Sequence, residues 1–257
     1  MLICTECKKE YEQLAVFCEC GGFLDEKEEE REFAYGSAAD AISEISRGET
    51  RNISFGEHNW RVLEKQDDRV LLLAENVFES HTYHGSAPSF AAFDSAPRPH
   101  ATWESCSLRQ YLNSAFLETF KDEDKKQILQ VNNITPNNPW FDVDGGNDTS
   151  DKVFLLSIDE IVKYFGDSGK LQKLPDIKKS RNPKNKSSRM INDKYNDDRK
   201  ATDYSDKNAD WWLRSQGHTN AHAANIESDG GINLYGWGIS CSFEAGIRPA
   251  LWLKLGG

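Results

Sequence analysis

Four cysteines stand within the first twenty residues, as Cys4-x-x-Cys7 and Cys18-x-Cys20, and no other feature so sharply limits what the start of this chain can fold into. Two close thiolate pairs joined by a short return of the chain are what a tetrahedral structural zinc needs. Gly21-Gly22 follows the second pair, which fits a knuckle in which backbone N–H groups approach the sulfurs, a geometry that glycine's access to positive φ makes easier. The C-x-C pair is one residue shorter than the C-x-x-C usual in zinc ribbons. Two disulfides are the alternative, which a reducing compartment disfavours. A segment of about 24 residues cannot bury enough apolar surface to fold alone, so metal binding would supply its folding energy. Residues 1–24 are therefore expected to form a zinc ribbon, with Cys4, Cys7, Cys18 and Cys20 as the ligands.

The rest of the 257 residues has a different character. Acidic residues outnumber basic ones by 42 to 31, a net charge of −11, which argues against the nucleic-acid backbone as the main partner. Seven Trp, thirteen Phe and eight Tyr can fill a substantial core. Apolar runs such as Val70-Leu71-Leu72-Leu73-Ala74 are far shorter than the roughly twenty residues of a membrane-spanning helix. The first residues lack the basic and long apolar regions of a signal peptide, so a cytoplasmic location is expected.

Residues 25–50 begin with the charge run Asp25 to Glu32, read as a solvated linker or a short exposed helix, and continue into a short amphipathic helix over 37–47 ended by Gly48. Residues 51–257 read as one large domain. Trp60–Glu64 and Arg69–Ala74, separated by Gln66-Asp67-Asp68, have the signature of a hairpin. Residues 103–117 return to helical spacing, a second helix is expected from Asp122 to Val131, and a strand over Val153–Leu156. Ser157-Ile158-Asp159-Glu160 is a capping box opening a further helix. The Lys-, Asn- and Asp-rich stretch at about 168–210 reads as a polar surface insertion. From Trp211 to Leu253 short β runs and Gly-rich turns predict an antiparallel meander.

Four segments in this last third carry a resemblance: Trp211-Trp212-Leu213-Arg214-Ser215, Ala223-Ala224-Asn225-Ile226, Asp229-Gly230-Gly231-Ile232-Asn233 and Gly246-Ile247-Arg248-Pro249-Ala250-Leu251-Trp252-Leu253. Together with Trp60-Arg61-Val62-Leu63 and Thr102-Trp103-Glu104 upstream, the chain over about residues 50–255 resembles bacterial C-type-lectin-type domains related to the formylglycine-generating-enzyme fold. The resemblance implies an α+β scaffold whose C-terminal β-meander presents a ligand face. It also covers the variable proteins of diversity-generating retroelements, in which selected codons of such a face are diversified. On this basis the expected ligand-binding residues are His218, Thr219, Asn220, His222, Asn225, Ser228, Asn233, Tyr235, Trp237, Ser240, Ser242 and Phe243. The expected partner is a protein or other macromolecule.

The enzymes of this fold use a pair of cysteines near the C-terminus, where this chain has only Cys241; Cys106 is far upstream. That favours a non-enzymatic binding protein over an oxidoreductase-like enzyme, with an adaptor acting through its zinc ribbon as a third reading. Asp142, Asp144, Asp148 and Asp151 concentrate oxygen atoms that could hold calcium, although Asx-capped turns account for them as well. His81 with His84, and His218 with His222, have metal-compatible spacing without further ligands. Arg109, Arg214 and Arg248, inside apolar motifs, are expected to be structural fork contacts, with Glu104 and Glu160 as candidate partners.

Overall fold

A computed structural model describes residues 2–4, 10–11, 24–26, 35–46, 52–85, 100–175, 186–240 and 245–255. The chain divides into two compact units, Met1–Ala34 and Tyr35–Gly257. In the first, β1 (Leu2–Cys4) pairs antiparallel with both β2 (Glu10–Tyr11) and β3 (Leu24–Glu26). Asp25 and Glu26, read from sequence as the start of a linker, complete the third strand. Cys4 ends β1, whereas Cys7, Cys18 and Cys20, and with them the expected metal site, lie outside the described residues.

The second unit is mixed α+β, with short strands predominating. Its elements are α1 (Ala38–Ser46), β4 (Asn52–Phe55), β5 (His58–Lys65), β6 (Arg69–Ala74), β7 (Ser80–His81), α2 (Ser107–Leu112), α3 (Asp122–Lys125), β8 (Ile128–Leu129), β9 (Val131–Asn133), β10 (Thr149–Asp151), β11 (Val153–Phe154) and α4 (Ile158–Phe165). They continue with β12 (Met190–Ile191), α5 (Asn196–Arg199), β13 (Trp211–Gln216), β14 (His222–Ile226), β15 (Ile232–Gly238), β16 (Ala245–Gly246) and β17 (Ala250–Lys254). Among the described residues no helix is long and apolar enough to cross a membrane.

Two sheets organise this unit. One runs β11-β17-β6-β5-β4, with β8 also on β17; the other runs β12-β15-β14-β13-β16-β7. The β5–β6 hairpin closes where Gln66 N donates to Arg69 O at 2.8 Å. Every residue of the run Val70–Ala74 is buried, as a continuous apolar strand requires when both its faces are covered. The C-terminal strands differ from a simple meander. β16 pairs parallel with β13, and β17 leaves that sheet to lie antiparallel beside β6, Ala250 opposite Leu73 and Lys254 opposite Arg69.

Local chemistry explains where the helices stop. In α4 the Ser157 hydroxyl accepts from Glu160 N and the Glu160 carboxylate accepts from Ser157 N, the reciprocal cap expected from the sequence. The helical spacing of residues 103–117 resolves into a 3-10 turn, Trp103–Ser105, and the six-residue α2. Cys106 interrupts them as the extended N-cap of α2, its sulfur accepting from Arg109 N at 3.4 Å. At the other end the Asn113 side chain accepts from Lys152 N and Val153 N and donates to Val153 O, so the chain is drawn out of the helix. The helix expected from Asp122 to Val131 stops at Lys125, because Ile128 and Leu129 pair with β17.

Part of the expected polar insertion is packed rather than solvated. Met190 and Ile191 form the edge strand β12 against β15. The buried Arg199 guanidinium is tied to Asp193 at 2.7 Å and to the carbonyls of Gly230 and Gly166 at 2.8 and 2.7 Å. Gly230 has φ +84°, and a Cβ there would meet Asn196 O at 1.9 Å, so only glycine fits.

The arginines in apolar motifs act as braces. Arg214 is held by Glu160, as expected, and donates to Leu155 O at 2.7 Å. The carboxylate held by Arg109 is that of Asp151, at 2.6 Å; Glu104 contributes only its backbone oxygen, at 2.9 Å. Arg248 donates to the backbone oxygens of Ala74 and Glu75, lies over Trp211, and is pushed down to about 9 by burial.

Candidate functional site

β13, β14 and β15 form the centre of the second sheet, and β14, β15 and the turns joining the three strands carry most of the expected ligand-binding residues. β13 is buried along its whole length, Trp211 and Trp212 included, so the strands beside it stand on a rigid base. Two distinct groups of side chains rise from this base.

The first is a column of rings. Tyr235 stacks on His218 with ring centres 3.4 Å apart and 14° between planes, and the His222 ring lies 4.1 Å from His218. Phe141 meets both Tyr235 and His218 edge-on, and the Arg189 guanidinium covers the Tyr235 ring at 3.9 Å. His218 Nδ1 is 2.8 Å from Tyr235 O, and His222 Nδ1 is 2.7 Å from Thr219 Oγ1. Burial lowers the His218 pKa, with the Arg189 charge acting in the same direction. All four rings and the arginine are half-buried, so the column is both braced and reachable.

The second is a polar group beside an indole. Asn225 faces Trp212 on one neighbouring strand and Asn233 on the other, so the three share one face of the sheet; Glu227, two residues on, projects the same way. The Asn233 amide donates to Glu227 Oε1 at 2.7 Å, and the Trp237 indole N–H also donates to that carboxylate. Asp210 Oδ1 accepts from Ser228 N at 2.8 Å. Burial raises the pKa of both Glu227 and Asp210, and the neighbouring carboxylates, Asp229 included, push the same way. Trp237 packs edge-on against Trp212 at 6.3 Å. Gly236, at φ +76°, makes the bulge that turns Trp237 to this face; a Cβ there would lie 2.3 Å from Ala223 O.

The expected residues thus fall into separate places. His218, Thr219, His222 and Tyr235 come together in the column, Ser228 and Trp237 in the polar group, and Asn220 is exposed in the β13–β14 turn. Ser240 is half-buried after β15, and Ser242, Phe243 and Cys241 lie outside the described residues. Asn225 and Asn233, expected to point outward, are buried: Asn233 is spent on Glu227 and on Gly236 N, and Asn225 forms the floor of the polar group. Alternation misplaces them because bulges at Ala223/Asn225 and Gly236 shift the faces of a sheet that is covered on both sides. Arg189, Phe141, Asp210 and Glu227 belong to these groups but were absent from the expected set. The apolar pair Met190-Ile191 within its polar stretch was the one sequence signal pointing to Arg189.

Other candidates take structural roles. Among the described residues no three His, Cys, Asp or Glu side chains are arranged to hold a metal ion. Asp142, Asp144 and Asp148 accept from Asn137 Nδ2, Gly146 N and Thr135 N, closing their own turns, and Asp151 is enclosed by donors. His81 Nδ1 lies 2.7 Å from Thr82 O, and His84 Nδ1 accepts from Ser107 N. Cys106 is buried, and its thiol is pushed up to about 12 by that burial, which disfavours the reactive thiolate. A cleft of about 320 Å³ beside Trp140 is lined by Lys170 and Lys173, but the Lys170 ammonium is engaged by Asn192 O.

Comparison with curated proteins and with solved structures gives no match. Residues 67–255, most of the second unit including both groups of side chains, match the family described as Domain of unknown function (DUF6273), and the chain belongs to that family.

Proposed function

We propose that this protein is a non-enzymatic ligand-binding protein whose C-type-lectin-like second unit presents a binding face built on β13–β15. The observation that carries this reading is the column of half-buried rings, Tyr235, His218, His222 and Phe141 with Arg189, locked on a fully buried strand. Rigid aromatic area beside adaptable polar groups gives contact energy at low entropic cost. The ligand is a protein or another macromolecule, and diversification of this face by a retroelement fits the same reading. Against an oxidoreductase-like role, Cys106 is buried and its thiol is pushed up to about 12.

The test is selection of binders from a random peptide display library on the full chain, followed by the Tyr235→Ala/Trp237→Ala double substitution. Selected peptides should lose at least about tenfold in affinity at a temperature where both proteins are fully folded. Peptides that bind the double variant equally well would place recognition elsewhere on the molecule.

For the first unit, the proposal is a structural zinc held by Cys4, Cys7, Cys18 and Cys20. Protein purified without chelators should contain about one zinc per chain, and Cys7→Ser/Cys18→Ser should abolish it. Metal-free wild-type protein would defeat the assignment.

A further inference from the structure

The polar group at the floor of β13–β15 contains an unusual combination. Neither end of the Asn225 amide has a hydrogen-bond partner, although the residue is fully buried. Leaving such a group unpaired is unfavourable, so it marks a place where a polar ligand group can supply the missing partners. It lies on the same face as Glu227 and, through the Trp212 pairing, beside Asp210. Among the described residues, no lysine or arginine forms an ion pair with Asp210, Glu227 or Asp229.

We infer that this group is a cation-recognition site, taking an alkylammonium or guanidinium on Glu227 and Asp210, with Asn225 completing the hydrogen bonding and Trp237 flanking the bound group. The inference rests on the ligand-face reading and specifies the chemistry of its ligand. Glu227 Oε1 already accepts from Asn233, and Asp210 Oδ1 from Ser228 N, which fixes both carboxylates while Glu227 Oε2 and Asp210 Oδ2 can accept further bonds. A guanidinium presents five donors in a plane and an ammonium three, enough to meet both carboxylates and the Asn225 carbonyl oxygen together. The half-buried Trp237 indole, whose N–H donates to Glu227, stands at the edge of the site and its signal reports on occupancy. An anion would meet two carboxylates and is excluded, and a neutral alcohol would leave their charge uncompensated.

The experiment is a titration of the full, ¹⁵N-labelled chain with n-butylguanidinium, n-butylammonium, n-butanol and n-butyrate, following the Trp237 indole N–H and the Asn225 side-chain amide. The two cations should shift both signals saturably, and the two controls should not. Glu227→Gln and Asp210→Asn keep the acceptors for Asn233 and Ser228, and each should weaken cation binding at least about tenfold with an unchanged melting midpoint. No saturable shift, an equal response to butyrate, or full binding by Glu227→Gln would each overturn the inference. Selected peptides that depend on Tyr235 and Trp237 but show no cation response would remove this inference and leave the ligand face standing. The converse pattern would leave the cation site and remove the face. A tighter response to an acetyl-arginine-amide peptide than to spermidine assigns the cation to a protein partner, and the reverse to a free polyamine.

Discussion

Replacing Asp151 with Ala is expected to cost about 3–5 kcal/mol, enough to lower the midpoint of thermal unfolding by about 10 °C. The carboxylate is 1% exposed and gathers four donors: Arg109 Nε at 2.6 Å, Thr149 Oγ1 at 2.6 Å, and Trp103 Nε1 and Asn133 Nδ2 at 3.1 Å each. These come from α2, β10, the 3-10 turn before α2, and β9, so one side chain ties together four segments with few regular contacts of their own. Alanine would leave the buried indole and amide donors unpaired and strand the Arg109 guanidinium. Asparagine would keep one acceptor but point a donor at donors, and should cost nearly as much. Urea denaturation of the two variants measures this directly; a loss below about 1 kcal/mol for the alanine variant would mean the segments are held by apolar packing alone.

Acid should destabilise the second unit through a histidine before most carboxylates titrate. His58 lies parallel to Phe78 at 4.0 Å and to Phe116 at 5.8 Å, with Nδ1 3.1 Å from the Tyr204 hydroxyl. Burial lowers its pKa to about 4, against an ordinary value of 6.5. Between those values the unfolded chain binds a proton that the folded chain refuses, so stability falls as pH drops from 6.5 towards 4, by at most about 3 kcal/mol. Glu227, Asp210 and Asp159 act oppositely, because their raised values let the folded state take up protons first; Glu64 and Glu75, held low, add to the loss below about pH 4.5. The window from about pH 6.5 to 5 therefore reports on the histidines, His58 together with His218, whose pKa burial also lowers. His58→Phe should flatten the dependence of unfolding free energy on pH there, whatever its effect on absolute stability. An unchanged slope would assign the acid sensitivity to another group.

How much of this was legible in the sequence depends on the range of the interaction. Contacts a few residues apart could be read: the Ser157–Glu160 cap, the β5–β6 hairpin and the apolar spacing of α1 all appear where their patterns place them. Partners far apart along the chain could not. Periodicity says that Leu251 and Leu253 are buried, but not that their strand abandons its neighbours in sequence for β6. The site shows the same division. Tyr235, His218 and His222 were identifiable as a face, whereas Arg189 arrives from a stretch whose polar composition hides the edge strand that carries it. Asn225 was misjudged for a sharper reason: a strand alternates only where its ladder is regular, and this one is bulged on both sides of the site.

The placement of β17 has a consequence for how the protein is made. Arg69–Ala74 acquires its second neighbour only from Ala250–Lys254, so a central strand of the first sheet waits through the synthesis of every element between them with one apolar edge unpaired. Such long sequence separation slows folding and prolongs the exposure of a strand edge that other chains can join. The buried Arg248, which grips the carbonyls of Ala74 and Glu75 just ahead of β17, then acts as a late latch, engaging the end of that waiting strand in the step that closes the domain.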